Sequence, residues 1–435
     1  ASWFVWYDYF SVPQPAAPQS EVACHTDLDS DLGRAIASLS YYVERCRWFF
    51  VLSPAVAHEE GHLIDYNSWK TRGWCRFERL ARLLSPAADT SVLVIKDEAT
   101  FWQAVPFQWI TEPVGCGCFT VESDRETLAI RMTDLLRRKL QHLAASGSVS
   151  EYRRWMASRA SLFRGLPVDW STVRPIGPII EQKDGFRTSE VDEFLTTYGF
   201  TSAAEVPHGT STLLVAAGLG NVQVIEALLA SRASVEDKER RNLPAFSIHA
   251  GMRPLHIAAL HGHAAAAAAL LRHRADPNAR TVVGDGPLAF AMFSGNPEVM
   301  QELIRSHADV MARSSYRWNF LDVAVVLNKA DSVRLALTTD VSRGCNEHGF
   351  NALHGAAAFD VTREIVAILV EAGVSLTDRI RPKFGTAWWL VASCFILRHR
   401  LGRHSFTSSF FFHGQGGTPL HLAAVGGSMS ALRSL

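Results

Sequence analysis

One phrase returns at a fixed interval through the C-terminal half of the chain, and that interval limits what the half can become. Its clearest copies are Arg253-Pro254-Leu255-His256-Ile257-Ala258-Ala259 and Thr418-Pro419-Leu420-His421-Leu422-Ala423-Ala424. Taken on the leucine, the series Leu213, Leu255, Leu288, Leu321, Leu353 and Leu420 steps by 42, 33, 33, 32 and 67 residues, the last close to two periods. A unit this short cannot bury its own apolar faces. Copies must therefore stack into a continuous array, which offers a long surface and no built-in chemistry.

The inside of each copy follows one plan. Gly and Pro open it, because proline's missing N–H costs nothing at the first position of a helix. Small pairs follow (Ala216-Ala217, Ala258-Ala259, Ala356-Ala357), so that first helices can pack closely. Turns such as Gly220-Asn221, Gly262-His263 and Gly295-Asn296 lead to second helices carrying Leu228-Leu229, Leu270-Leu271, Leu303-Ile304 and Ile368-Leu369. The phrase and the period resemble the ankyrin repeat over about 209–435, with five or six copies recognisable and the last cut short. The likeness weakens where Ala289 replaces the usual His and where Phe320-Leu321-Asp322 replaces Pro-Leu-His. The span Gly385 to Gly416 has the length of one repeat, yet Phe406 to Phe412 does not read as a repeat helix. Two readings stand there, a degenerate repeat and an insertion.

The resemblance implies a protein partner held on the hairpin tips and on the exposed side of the first helices. Apolar residues recur after the alanine pair, among them Leu260-His261, Phe293 and Phe359, and either form a contact stripe or pack against adjacent repeats. The tip Arg313, Tyr316, Arg317, Trp318 is the favoured partner-binding cluster, because Tyr, Trp and Arg are the usual interface anchors.

Bulk properties exclude several alternatives. The 435 residues exceed what one core holds, and the formal net charge of zero gives no reason to expect nucleic acid or an anionic membrane as partner. The longest strongly apolar run, Ala387 to Leu397, is 11 residues, too short to span a bilayer. Seven scattered cysteines suit reduced thiols in the cytoplasm better than a disulfide framework. The chain opens at Ala1 without Met and stops at Leu435 inside a second repeat helix, so it reads as a piece of a longer protein.

Ahead of the array, strands and amphipathic helices alternate over about 1–120: Trp3 to Phe10, a helix over Asp31 to Arg45, Trp48 to Leu52, a helix over Gly73 to Leu84, and Ser91 to Lys96. That order predicts an α/β domain with a parallel, doubly wound sheet. Val5-Trp6-Tyr7-Asp8, Ala35-Ile36, Phe49-Phe50-Val51-Leu52-Ser53 and Gly73-Trp74-Cys75-Arg76-Phe77-Glu78 resemble part of a Toll/interleukin-1 receptor (TIR) domain, flavodoxin-like in fold. Trp6, Asp8 and Gln14 are also similar to fungal heterokaryon-incompatibility domains. The TIR resemblance implies signalling, self-association through this domain, and in some members NAD hydrolysis. Glu78 would then be the catalytic carboxylate, steadying an oxocarbenium-like ribosyl centre, with Asp8 and Trp74 at the nucleotide pocket. NAD would be a substrate, and no cofactor is implied. The elements that complete that pocket in the family are missing from this chain. The plainer reading of Glu78 is a surface helix carboxylate beside Arg76 and Arg79.

His58-Glu59-Glu60-Gly61-His62 matches the zinc-protease phrase H-E-x-x-H. Pro54 and Gly61 instead bracket a loop, and Asp65 and Ser68 stand where a metzincin extension needs Gly and His, so no metal is expected on His58 and His62. Cys116-Gly117-Cys118 lacks a second pair at zinc spacing and reads as a turn. The connector, about 121–208, carries a helix over Glu122 to Ala145 with Arg137-Arg138-Lys139 on a solvated face, a second over Ser150 to Leu166, and a short one over Ser189 to Phe200 that caps the first repeat.

Overall fold

The computed structural model describes residues 31–54, 56–57, 63–86, 91–98, 101–104, 108–169, 190–200, 202–203, 210–314, 318–346, 348–359, 361–381, 400 and 416–426. They divide into two compact units. The first comprises Ala1–His58, Ile64–His208 and Pro244–Ser247; the second comprises Glu59–Leu63, Gly209–Leu243 and Ile248–Leu435.

In the first unit, α1 (Asp31–Arg45) leads to strand β1 (Phe50–Leu52), and a two-stranded ladder pairs β2 (Val56–Ala57) with β3 (Leu63–Ile64). The short α2 (Tyr66–Trp69) and α3 (Gly73–Leu84) precede β4 (Leu93–Ile95) and β5 (Phe101–Gln103). Strand β1 runs parallel to β4, with Phe50 opposite Leu93 and Leu52 opposite Ile95, while β5 runs antiparallel to β4. The sheet is thus mixed, not wholly parallel. Only residues 96–100 join β4 to β5, and so few can return the chain only as a hairpin, whereas the long β1–β4 connection has room for a helical crossover. Val51, Val92, Val94 and Ala104 form the core under the sheet, with Tyr66 and Trp69 packed against it.

Helix α3 buries Phe77, Leu80, Ala81 and Leu84 and packs on α1 and on the long α5 (Asp124–Ala145), which follows the single turn α4 (Gln108–Thr111). The apolar face of α5 is the expected one, with Leu128, Met132, Leu135, Leu136 and Leu140 buried. Lys139 departs from its expected solvated face. It is 9% exposed and donates from Nζ to the Ser85 carbonyl at 3.2 Å, satisfying the backbone just past the end of α3. The helices read as a connector therefore share a unit with the sheet. Helices α6 (Val149–Ala157), α7 (Arg159–Leu162) and α8 (Glu190–Thr197) complete it. Trp109, Trp155 and Phe246 cluster there, with Trp109 Nε1 donating to the Ala245 carbonyl at 2.8 Å.

The second unit is the expected array. Helix pairs α9–α10 (Thr212–Leu219, Val222–Ala230), α11–α12 (Pro254–His261, Ala264–Arg272), α13–α14 (Pro287–Ser294, Pro297–Arg305), α15–α16 (Phe320–Val326, Ala330–Leu337) and α17–α18 (Ala352–Ala358, Arg363–Glu371) are followed by α19 (Pro419–Gly426). Each first helix packs on the next, α9 to α11, α11 to α13, and so on to α17 against α19. Gly220, Gly262 and Gly295 end the first three first helices with φ of 69°, 77° and 67°, the left-handed cap that glycine adopts without strain.

Hairpins join the repeats, and their closing hydrogen bonds number the array from within. The amides of Glu239, Thr281, Ser314, Asn346 and Ile380 donate to the carbonyls of Met252, Asp285, Trp318, Phe350 and Gly417. Three hairpins enclose three residues each (282–284, 315–317, 347–349), the first encloses 12 (240–251) and the last 36 (381–416). The nine surplus residues of the first account for its step of 42 against 33. At the last, Gly416 also donates to the Ile380 carbonyl, and Leu422 and Ala423 pack against Ala357 and Ile380. Helix α19 thus takes the stacking position directly after α17. The readings of Gly385 to Gly416 as a degenerate repeat or an insertion fall on a stretch of which only Arg400 and Gly416 are described. Residues 382–399 and 401–415 lie outside the described residues.

Candidate protein-interaction surface

The surface is built from the start of each first helix. In the second repeat His256 is fully buried; its Nδ1 accepts from the Arg253 amide at 3.1 Å and its Nε2 donates to the Ala279 carbonyl at 3.0 Å. One neutral ring thereby caps its own helix and ties it to the following hairpin. Burial pushes the imidazole down to about 4, against weaker support from the Ala279 carbonyl. His354 repeats this arrangement, with Nδ1 taking the Asn351 amide and Nε2 reaching the Gly417 carbonyl at 3.4 Å. Burial lowers its pKa as well.

The fourth repeat carries Asp322 at this position. Its carboxylate accepts from the Asn319 amide at 3.3 Å and from the Asn346 side-chain amide at 3.2 Å. A ring that donates to a carbonyl has been replaced by a carboxylate that accepts from an amide, and the next hairpin supplies a donor in place of the acceptor. Burial raises the Asp322 carboxyl to about 6, opposed by hydrogen bonds from Asn346 and Asn319.

Leu260 and His261 are 0% and 4% exposed, so at these two positions the packing reading holds and no stripe is presented. Phe293 is partly buried and Phe359 is 49% exposed. Trp318, from the hairpin before α15, meets Phe359 after α17 edge to face at 6.0 Å, which brings aromatic side chains from two successive repeats together. Arg313 is exposed. Tyr316 and Arg317 lie outside the described residues. Arg280 Nη1 donates to the Gly284 carbonyl at 2.9 Å and the Arg313 carbonyl at 3.3 Å. Both arginines line a cleft of about 30 Å³, together with Leu288, Met292 and Trp318. That volume takes one side-chain tip and is far too small for a cofactor.

Set beside known proteins, the family description "Ankyrin repeats (3 copies)" matches residues 188–281. These are ankyrin repeats. No curated protein matches the chain. Among solved structures, an ankyrin repeat domain from Acinetobacter baumannii is similar at 20% identity and a TM-score of 0.38, covering 51% of this chain and 94% of that one.

The residues singled out in the N-terminal half are placed as follows. Glu78 lies on α3 and is 7% exposed, which corrects its reading as a surface carboxylate. Trp74 Nε1 donates to Asp124 Oδ2 at 2.8 Å, and its ring meets Phe77 edge to face, so Trp74 joins α3 to α5. Arg79 pairs with Glu112 at 3.0 Å, and Arg76 donates to the Lys70 and Pro113 carbonyls. A Cβ at Gly73 would fall 2.0 Å from the Phe119 ring, which would have to move to admit it. Cys116-Gly117-Cys118 forms the end of a helical turn and a bridge between Cys118 and Arg72. Asp8, His58 and His62 lie outside the described residues. Among the described residues no group of three or more His, Cys, Asp or Glu is placed to hold a metal, and no helix is long and apolar enough to cross a membrane.

Proposed function

We propose that the chain is a protein-recognition scaffold whose ankyrin array holds a partner along its hairpin edge, within an intracellular signalling protein. The observation that carries this is the Trp318–Phe359 contact beside exposed Arg313, since aromatic and arginine side chains shared between successive repeats are what interface hot spots are made of. Affinity capture on the full chain tests it. Trp318→Ala is expected to weaken the captured partners by roughly fivefold or more, the scale of an ordinary hot spot. Unchanged capture by both Trp318→Ala and Phe359→Ala would sink the reading.

The N-terminal unit enters this proposal as a TIR-like assembly module. The parallel β1–β4 pair with α3 between its strands supports that reading, as does Trp74-Cys75 four residues ahead of Glu78. Self-association of the full chain, followed by sedimentation velocity, is the corresponding test, and a monomer at every concentration removes the module. The NAD-hydrolase alternative requires Glu78 to meet a nicotinamide ribose. A carboxylate with 7% exposure on a packed helix gives little access. No NAD turnover is expected, and turnover that vanishes in Glu78→Gln would reinstate the enzyme.

A further inference from the structure

The hairpin numbering lines up residues that the sequence repeat leaves unaligned. Immediately before the five closing amides stand Lys238, Arg280, Arg313, Cys345 and Arg379. All five are exposed. Four of the five turns therefore present a cation at one structural position, although formal charge over the whole chain is zero. The fourth turn departs, and there the Cys345 thiol donates to Asp378 at 3.5 Å. Loop length does not disturb the register, since Lys238 and Arg379 precede the two long hairpins and Arg280 and Arg313 two short ones.

Two of these cations flank the apolar cleft. Arg280 and Arg313 both line it, together with Leu288, Met292, Trp318 and Asp309. Arg280 is steered by its bonds to the Gly284 and Arg313 carbonyls, so its position is set by the next repeat as well as its own. Three carboxylates near the row already have partners: Glu236 pairs with Arg253, Asp309 at the cleft accepts from the Met311 amide, and Asp378 accepts from Asn351 and Cys345.

We propose that this edge of the array binds an acidic, extended protein segment, with carboxylates on the Lys238–Arg280–Arg313–Arg379 column and one aliphatic side chain in the cleft. The assignment rests on the scaffold reading and specifies its partner's chemistry. Cations repeated along an edge select a chain whose charges also repeat, and reversing their sign turns attraction into like-charge repulsion. The small cleft sets the register, because it takes a single side-chain tip.

The test uses the full chain and fluorescence anisotropy with three labelled probes: a peptide alternating Glu and Leu, the same peptide with Lys for Glu, and a single-stranded RNA of equal length. The Glu–Leu peptide is expected to bind, more weakly at high salt, and the other two to bind much less. Arg280→Glu with Arg313→Glu is expected to weaken it by roughly tenfold or more. Lys238→Glu with Arg379→Glu, which leaves the cleft untouched, repeats the measurement at other turns, and circular dichroism confirms that each variant is folded. Equal affinity for the Lys peptide or for RNA overturns the proposal, as does a Glu–Leu affinity that neither charge-reversed pair alters. If captured partners are lost with Trp318→Ala but kept in both charge-reversed pairs, the acidic class falls while the scaffold reading stands.

Discussion

The third residue of each first helix shows how one position solves the same problem with different chemistry. His256 and His354 are neutral rings bridging a helix start to the next hairpin, while Asp322 reaches Asn346 with the donor and acceptor roles exchanged. Their pH dependences have opposite signs. For His256 the folded value of about 4 lies below the ordinary 6.5, so its contribution is present above 6.5 and lost as pH falls toward 4. For Asp322 the folded value of about 6 lies above the ordinary 3.8, so its contribution is complete below 3.8 and lost as pH rises through 6. Asp322→Asn keeps an acceptor for Asn319 and Asn346 and removes the ionisation. Above pH 6 the variant is expected to be the more stable protein, by at most ~3 kcal/mol, with the difference shrinking toward pH 4. Urea midpoints across that range check it. A variant less stable than wild type at neutral pH would mean that the two amides hold the ionised carboxylate well enough to outweigh its burial.

Elements were legible where one periodicity dominates. Leu39 and Val43 mark the inner face of α1, and Leu128, Met132 and Leu136 that of α5, because apolar residues three or four apart admit only one buried face. The antiparallel return of β5 was not legible, since direction depends on the brevity of 96–100 and not on strand composition. Nor was the burial of Glu78 and Lys139, because a charged residue enters the interior only when tertiary neighbours meet it, as the Ser85 carbonyl meets Lys139. At the candidate surface, Trp318 and Arg313 could be read from residue type, but their register with Lys238 and Arg379 required the hairpin bonds. Leu420 follows Leu353 by 67 residues, yet α19 packs directly on α17. Replacing residues 382–415 with a short turn should therefore preserve the array. Closing a loop of a few residues in place of 36 lowers the closure entropy by roughly 2 kcal/mol, so the melting temperature is expected to hold or rise. Loss of the α19 helical signal in the shortened protein would mean that 382–415 contribute a repeat to the stack.

In a stack, each repeat touches only its neighbours, and stability is close to a sum of repeats and the interfaces between them. The interfaces here are unequal. The His256 ring supplies two hydrogen bonds, one capping α11 and one to the next hairpin, and His354 does the same for α17 and the last hairpin. The third repeat has Ala289 at this position, with no polar side-chain atom to bridge with, and the fourth relies on a carboxylate whose ionisation burial opposes. The third and fourth repeats are accordingly expected to open more readily than the second. A buried hydrogen bond is worth about 1 kcal/mol, so a missing pair of them is enough to make local opening roughly tenfold or more frequent. Hydrogen exchange read by mass spectrometry is expected to show faster exchange in α13 to α16 than in α11 and α12 at neutral pH. Ala289→His should restore the bridge and slow exchange in α13 and α14, because its ring faces the hairpin that follows, as His256 faces Ala279. Uniform protection from α9 to α18, unchanged by Ala289→His, would show that packing between the first helices alone sets the strength of the stack and that the histidine bridge contributes nothing to it.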